Sequence, residues 1–470
     1  MLGQNPSQPA FFQMVDMESL VPANHRLRQI DAALDLSFVR EELADCYTPG
    51  RGRPSIDPEL AVRMMILGVL YDLSDRQLCD EIRMHAGFRW FCRLNFHDPV
   101  PDHSTLSRLR NERWSDSEIF TRLFEEVLRS CARAGLVSGR HASVDGTQIK
   151  ANASMQSIEP RPLPEEEAPE DDEPGGPSLR SPKEPQPQGV WQGHGERYSN
   201  ETHVSRTDPD ARLYRKGSNQ GAQFSYLVHD VIDTKSRVIL GRRASEATGT
   251  AERDLALELL DEHEARREWL GLPHAVEVLS ADAGYGVGSF VAEVIDRAIT
   301  PHTPLQARDE LEELPTWQRR TFNLQQYRAR GEKLRLARAR NCVRLAHRTH
   351  GYTVSRKLRI RSEHIFAEAK NQHGLSRARH RGLGKVDRHA VLIAAVQNLK
   401  RLSRTLWRRA QGQTADFGYF EAFLHLLRVV YIRLRALRTL YRGFLRVSTT
   451  FSMLSSQKCV HQMAYSSTAF

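Results

Sequence analysis

Cysteine is scarce in this chain of 470 residues, and none of its six cysteines forms a C-x-x-C pair with another. The sequence therefore lacks the ligand spacing of a zinc knuckle and the motif of a thiol redox enzyme. Isolated cysteines are typical of small, reduced core residues in a cytosolic protein. They are Cys46, Cys79, Cys92, Cys131, Cys342 and Cys459.

The chain also lacks the sequence signals of export and of membrane insertion. Its N-terminus does not show the basic-then-apolar pattern of a signal peptide. Six arginines interrupt its most apolar late region, 420–447, which argues against a bilayer span. We therefore expect a cytoplasmic protein that makes no membrane contact.

Positive charge, in contrast, is in excess. Lys and Arg number 67 against 58 Asp and Glu, which gives a net charge of +9 and a pI of about 9.3. Residues 159–174 carry eight acids and one arginine, so the rest of the chain has a net charge of +16. This balance favours a polyanionic partner, most simply nucleic acid, over a neutral small substrate. The length predicts two or three domains.

The first part of the chain predicts a helical domain. Asp57 is placed to cap a helix that has Pro58 at its first position. Ser74 and Gln77 form a capping-box pattern at the start of a second helix. Asp102 is placed to cap a third helix, which is short and basic.

The third helix carries two arginines, Arg108 and Arg110. Short helices joined by tight turns, with cations on the last one, are compatible with helix-turn-helix DNA binding. A helical bundle with solvated arginines explains the same pattern. We predict that residues 1–135 form a helical N-terminal DNA-binding domain in which these two arginines contact DNA.

Beyond residue 136 the pattern alternates between strands and helices, which predicts an α/β domain over residues 136–410. The first strand, 142–149, contains Asp145-Gly146, and we expect this pair to form an exposed kink; a turn-forming Asp at a strand end is the alternative. A later strand ends at Asp282, at the edge where α/β sheets commonly place chemistry. The other predicted elements are strands at 223–232, 237–242 and 299–305 and helices at 250–269, 289–298 and 386–409.

Two segments do not fit a packed core. Residues 155–205 are rich in proline, glutamate and glycine, a composition that cannot offset its ordering entropy by burial. This predicts a disordered insertion, which splits the α/β domain because strand signals resume just beyond it. Residues 411–470 are predicted to form an amphipathic Arg/Leu helix and a polar tail, to which we assign no role beyond dimer packing.

The stretch 359–370 contains neither glycine nor proline and predicts a helix. At about 100° per residue, Arg359, Glu363 and Lys370 fall close to one face, so that one carboxylate projects between two cations. On periodicity alone, an exposed helix with i,i+4 charge pairs explains this pattern.

Asp145, Asp282 and Glu363 lie too far apart in the sequence for their spacing to prove that they converge. Carboxylates are nonetheless what divalent ions require, since Mg²⁺ prefers oxygen ligands and keeps positions open for a substrate phosphate. Two ions about 3.5–4 Å apart can activate a water or a DNA 3′-hydroxyl and stabilise the leaving oxygen. An acid cluster inside a basic protein makes sense if phosphodiesters are the substrate.

Four motifs, in this order, resemble those of the DDE transposases of bacterial insertion sequences, which have an RNase H-like catalytic domain. Pro101–Arg108 resembles the end of the helical N-terminal domain of these enzymes, and Val144-Asp145-Gly146-Thr147 resembles their first-Asp strand. Ala281-Asp282-Ala283-Gly284-Tyr285 is similar to their second-Asp strand and Gly-Tyr turn. Arg359-x3-Glu363-x6-Lys370 matches the R, E and K of their Y-x2-R-x3-E-x6-K signature, whose Tyr position is Arg356 here.

The resemblance implies an α/β RNase H-like domain, a mixed five-stranded sheet flanked by helices, preceded by an all-α domain. It implies that Asp145, Asp282 and Glu363 are catalytic and bind two Mg²⁺ or Mn²⁺ ions. The implied reaction is nicking by water, followed by attack of the freed 3′-hydroxyl on target DNA. The implied partners are double-stranded DNA, as terminal inverted repeats and as target, and a second copy of the chain in the DNA complex. A nucleoid-associated, cytoplasmic location follows.

Cations near the third acid are candidates for phosphate contacts. Arg359 and Lys370 would grip DNA phosphates near the cut and offset the repulsion between the acids and DNA. A dense basic turn follows them in the sequence. The further predicted DNA contacts are Arg356, Arg377, Arg379 and Arg381.

Two other functions fit parts of this pattern. One is a catalytically inert, transposase-derived DNA-binding protein, against which the three intact acids argue. The other is an RNase H-like nuclease without joining activity, which needs neither the helical N-terminal domain nor the long basic C-terminal region. We expect a transposase that cleaves and joins DNA.

Overall fold

The computed structural model describes residues 16–47, 55–161, 198–215, 221–249, 251–272, 274–306, 311–314 and 324–412. Most of the predicted insertion and nearly all of the predicted C-terminal segment lie outside these residues, as does Cys459. Cys79, Cys92 and Cys131 are buried core residues, as predicted.

Eight helices precede the first strand in the described part of the chain. The predicted caps are confirmed: Asp57 accepts a hydrogen bond from the backbone N–H of Glu59, and Ser74 and Gln77 form a reciprocal capping box. Asp102 caps the seventh helix, which continues into a π-helical turn at Leu109–Arg113. The helices are α1 Met17–Leu20, α2 Arg26–Asp31, α3 Val39–Glu42, α4 Pro58–Leu70, α5 Asp75–Met84, α6 Ala86–Phe91, α7 His103–Arg108 and α8 Ile119–Arg133.

A mixed sheet lies at the centre of the second part, and its strand order is β4-β5-β1-β7-β8, with β6 also paired to β5. β4 pairs with the first three residues of β5 and β6 with the following ones, so these two short strands share one of five positions across the sheet. β5 runs antiparallel to β1, β4 and β6, whereas β1, β7 and β8 run parallel to one another. The strands are β1 His141–Lys150, β2 Ile158–Pro160, β3 His203–Ser205, β4 Arg212–Tyr214, β5 Gln223–Asp233, β6 Ile239–Glu246, β7 Val278–Ser280 and β8 Thr300–His302.

The predicted kink at Asp145-Gly146 is wrong, because β1 runs through both residues without a break. Asp145 pairs with Asp230 and Gly146 with His229 across β5. The glycine serves close packing rather than a turn, since a Cβ at position 146 would lie 2.3 Å from Oε1 of Glu252. A helix therefore brings a carboxylate against the middle of β1.

The predicted boundaries of the insertion also need correction. Its two ends, which the prediction placed in a disordered segment, form an antiparallel ribbon of β2 and β3. Ser157 and Ser205 are buried there and their hydroxyls lie 2.8 Å apart. Backbone N–H and C=O groups that a disordered segment would expose to water are paired with each other across the ribbon.

Helices flank the sheet, and α14 connects it to the N-terminal helices. α14 packs on β6 and on α8, α2 and α4, and a continuous set of buried side chains runs from Val21 to Leu402. The predicted division at residue 135 stays a prediction, and the core is continuous across it. The helices are α9 Ala251–Arg266, α10 Gly288–Asp296, α11 Leu324–His347, α12 His350–Leu358, α13 Ile360–Gln372 and α14 Leu383–Ala410. No helix in the described ranges is long and apolar enough to cross a lipid bilayer.

A buried amide joins α14 to the sheet. Asn398 is fully buried, its Oδ1 accepts a hydrogen bond of 2.8 Å from the backbone N–H of Ile239, and its Nδ2 donates one of 2.8 Å to the carbonyl of the same residue. Ile239 begins β6, beside the irregularity in the β5–β6 register. The side chain thus replaces the missing strand partner at this edge.

Replacing Asn398 with Ala should destabilise the protein by about 2 kcal/mol or more, because it leaves the N–H and C=O of Ile239 buried and unpaired. Chemical denaturation followed by circular dichroism measures this loss. The matched control is Asn371→Ala on the exposed side of α13, for which we expect a change within about 0.5 kcal/mol. Equal effects of both substitutions would contradict the role of this contact.

Candidate active site

Asp145 lies in the middle of β1, with 13 % of its side chain exposed. Its Oδ1 accepts a hydrogen bond of 3.0 Å from the backbone N–H of Gly146, and its Oδ2 accepts one of 3.1 Å from the hydroxyl of Ser362 on α13. These two donors fix the carboxylate on the side of the sheet that α13 covers.

Asp282 follows β7, the parallel neighbour of β1. Ser280 pairs with Ser143, so each acid comes two residues after a paired position on adjacent strands. Asp282 caps a short 3-10 turn by accepting a hydrogen bond of 2.8 Å from the N–H of Gly284. The parallel register of β1 and β7 therefore brings these two predicted acids to the same level of the sheet.

The pKa of Asp145 records this proximity. Burial and the charge of Asp282 raise it from 3.8 to about 6, and Arg359 and Ser362 oppose the rise. A buried carboxylate beside a second one is costly when both are ionised. The pair is therefore arranged to favour a cation.

Glu363 lies one helical turn into α13, and 56 % of its side chain is exposed. Arg359, the N-terminal cap residue of α13, lies between the predicted acids: its guanidinium is 3.1 Å from Oε1 of Glu363 and 4.0 Å from Oδ2 of Asp145. The predicted helix and its i,i+4 charge pair are both confirmed. The Arg359–Glu363 pair lies next to Asp145. The exposed helix with charge pairs and the helix that carries a catalytic acid are therefore the same structure.

Lys370 lies on the same helix, where its Nζ donates a hydrogen bond of 2.8 Å to the carbonyl of Gln148. Together with the contact between Ser362 and Asp145, this bond attaches α13 to β1 at two points, Asp145 and Gln148. Ser362, Ile365 and Ala369 are buried on α13. The position of α13 relative to the acids is therefore set by several contacts.

Sequence reasoning missed Asp230, a further acid that lies beside Asp145. Asp230 pairs directly with Asp145 across β5, and Arg242 pairs with Asp230 across β6, so the three side chains form a row on one face. Arg242 donates two hydrogen bonds of 2.6 Å to Asp230, and both side chains are almost completely buried. This ion pair offsets the charge of Asp230. A charged residue in the middle of each of two apolar strands is the signal that could have revealed it.

Glu252 and Tyr285 complete the surroundings and were also missed. The Tyr285 ring is buried, and burial together with the charges of Glu252, Asp145 and Asp282 raises the pKa of its hydroxyl well above 10. The hydroxyl therefore stays protonated near the acids. Glu252, in the first turn of α9, packs on Gly146 and has no sequence motif of its own.

The donor chemistry of the site fits a divalent ion in part. Among the described residues, no group of three or more His, Cys, Asp or Glu side chains is close enough to hold a metal ion. Asp145 and Asp282 supply two carboxylates whose mutual repulsion a cation would relieve, but Glu363 is bound to Arg359. Three carboxylate ligands would require Arg359 to release Glu363.

The six predicted DNA contacts other than Arg359 and Lys370 fall into two groups. Arg108, Arg356, Arg377 and Arg381 are exposed, and Arg381 also donates a hydrogen bond of 3.1 Å to the carbonyl of Asn152. Arg110, in contrast, makes a bidentate ion pair with Asp75, and Arg379 binds Asp72 and the carbonyl of Leu73. Arg110 and Arg379 thus hold protein elements together.

Two protein-family models match the chain. The family model described as "Transposase domain (DUF772)" matches residues 15–112, and the model described as "Transposase DDE domain" matches residues 192–399. The second range includes Asp282 and Glu363, whereas Asp145 lies between the two ranges. No solved structure matches the chain significantly. Two transposase models in the expected order cover most of the residues that form the sheet, α13 and the N-terminal helices, and the chain therefore belongs to the DDE transposases of insertion sequences.

Proposed function

We propose that this chain is the transposase that binds the terminal inverted repeats of its element, cleaves DNA and joins the freed 3′ ends to target DNA. The observation that supports it most is the placement of Asp145 and Asp282 on adjacent parallel strands, with α13 bringing Glu363 and Arg359 beside them. We further propose an RNase H-like fold for the catalytic part. The mixed sheet of five positions with flanking helices supports it.

In this proposal Asp145, Asp282 and Glu363 hold two Mg²⁺ or Mn²⁺ ions. Such ions would activate the attacking oxygen and stabilise the leaving oxygen of an in-line displacement. Ser362 and the N–H of Gly146 orient Asp145, and the row through Asp230 and Arg242 keeps a neighbouring acid neutralised. These contacts pre-organise the first acid before DNA arrives.

Arg359 would change partner when DNA binds. In the structure, the guanidinium of Arg359 donates one hydrogen bond to Glu363. A phosphate group offers the planar guanidinium two acceptor oxygens and can therefore bind it more strongly. Transfer of Arg359 to a phosphate would free Glu363 to approach Asp145 and Asp282. Arg359 would thus couple DNA binding to completion of the acid set, in agreement with its predicted role as a phosphate clamp.

The wider partners remain proposals of the same kind. The exposed arginines Arg108, Arg356, Arg377 and Arg381 are suited to phosphate contacts, and Lys370 would support α13 from the side of β1. We propose that the N-terminal helices contribute to repeat binding and that the DNA complex contains a homodimer. A nucleoid-associated location would follow from DNA binding.

Substituting each acid separately, as Asp145→Asn, Asp282→Asn and Glu363→Gln, should abolish cleavage and joining. We expect a loss of roughly 10²-fold or more, because even the partners of metal ligands contribute 10–100-fold. The assay uses purified protein, Mg²⁺ and DNA that carries the terminal inverted repeats, with strand products separated on denaturing gels.

Asp254→Asn, an exposed acid on α9, is the matched control and should retain activity. Joining that survives in one of the three variants would remove that residue from the site. Repeat binding without cleavage by the wild type would identify an inert DNA-binding protein, and cleavage without joining would identify a nuclease.

The raised pKa of Asp145 predicts a pH-dependent stability change. The folded state binds this proton more tightly than the unfolded state, so the stabilising effect of protonation is complete below about pH 4 and is lost as the pH rises through about 6. Without metal, Asp145→Asn should therefore be more stable than the wild type at pH 8, by up to about 3 kcal/mol. Thermal denaturation across this pH range measures the difference.

Two observations check this prediction. The stability difference should disappear near pH 4, and Mn²⁺ should raise the melting temperature of the wild type but not that of Asp145→Asn. Equal melting temperatures of the two proteins at pH 8 without metal would contradict the burial of an ionised Asp145 beside Asp282.

A further inference from the structure

A basic groove lies along α13, on the side that carries His364 and Glu368 and not on the side that contacts β1. It is an open cavity of about 750 Å³ between α13, the C-terminal part of α14 and the turn that joins β5 to β6. His364, adjacent to Glu363 in the sequence, lines it and is exposed. We call it the α13–α14 groove, and it begins one residue from the predicted third acid.

The charge of this groove is unbalanced. Five cationic side chains line it and Glu368 is the single carboxylate among its lining residues. Its cations are Arg237, Lys400, Arg401, Arg404 and Arg408. A partner with negative charge is needed to balance them.

The inner part of the groove shows the excess most clearly. Lys400 and Arg401, whose side chains are only 4 % and 16 % exposed, both bind Glu368. Burial lowers the pKa of both cations, and the charge of Arg237 lowers the pKa of Arg401 further. Buried charges are normally paired one to one, so two cations on one carboxylate leave one positive charge uncompensated.

The outer part carries exposed arginines. Arg237, Arg404 and Arg408 are exposed, and in the described ranges no carboxylate lies within ion-pair distance of them. Arg404 and Arg408 are four residues apart on α14 and therefore share one face of the helix. They continue the row of positive charge away from the predicted active site.

Arg237 is held at the rim by a rigid turn. Its φ of 65° lies in the left-handed region, which costs a residue with a side chain about 1 kcal/mol or more. Asp233 accepts hydrogen bonds from Lys235 and Ser236 in this turn, and Arg361 on α13 donates bonds of 2.9 Å to the carbonyls of Thr234 and Lys235. The turn and α13 therefore hold a fixed relative position.

We propose that the α13–α14 groove binds the phosphate backbone of DNA adjacent to the site of cleavage, through Arg237, Arg404 and Arg408. The inference rests on the proposed function and extends it to a surface that none of the sequence motifs includes. Phosphates supply the missing negative charge, and arginines bind them without reading sequence. The buried cations Lys400 and Arg401 add to the positive electrostatic potential at the surface of the groove.

The test is the salt dependence of binding to a fluorescein-labelled duplex of about 30 base pairs and random sequence, measured by fluorescence anisotropy. The slope of log K against log salt is negative, and each lost phosphate contact reduces its magnitude by about 0.9. The full chain with Arg237→Gln, Arg404→Gln and Arg408→Gln together should lose about 2 to 3 from this slope. Each single substitution should lose about 0.9, which keeps the test valid should the triple variant fold poorly.

The matched control is a second triple variant, Arg338→Gln, Arg348→Gln and Arg409→Gln, which removes three exposed arginines that do not line the groove. It removes the same net charge and should keep the wild-type slope. Equal slopes in the two triple variants would contradict DNA binding by the α13–α14 groove and would leave the proposed function intact. A wild-type chain that does not bind the duplex would overturn both.

Discussion

The structure depends on a carboxylate held in the middle of a sheet. Asp145 has an acid on each neighbouring strand, Asp230 opposite it on β5 and Asp282 just beyond β7. Three acids at such close positions are unfavourable unless cations are present. Arg242 offsets the first neighbour and Arg359 approaches Asp145, which leaves the Asp145–Asp282 pair as the place where positive charge is still lacking. The raised pKa of Asp145 is the measurable sign of this cost.

Helix α13 connects this site with the rest of the protein. One side of it contacts β1 through Ser362 and Lys370, and the other side lines the α13–α14 groove. Glu368 ties it to α14 through Lys400 and Arg401, and α14 in turn packs on the sheet and on the N-terminal helices. Movement of α13 would therefore change the acid site and the groove together, and one helix can link the binding of DNA to the arrangement of Glu363.

Local patterns predicted most elements because local physics determines them. The caps at Asp57, Ser74 and Asp102 satisfy N–H groups within a few residues, and the structure contains all three. The predictions that failed concerned distant partners. The local sequence predicts a kink at Asp145-Gly146, because nothing nearby in the sequence shows that Glu252 packs on the glycine. The ends of the insertion were read as disordered, although β2 and β3 pair across it.

The sequence by itself determined the helix caps at Asp57, Ser74 and Asp102, the longer strands of the sheet, the basic charge and the three candidate acids with their motifs. It could not determine the Asp230–Arg242 pair, the partners of Arg110 and Arg379, or the groove, because these join residues far apart in the chain. Only the tertiary structure decided that Arg359 lies between Asp145 and Glu363. The physical reason is that side-chain charge is a local property, whereas the distance between two charges depends on how the sheet and α13 pack.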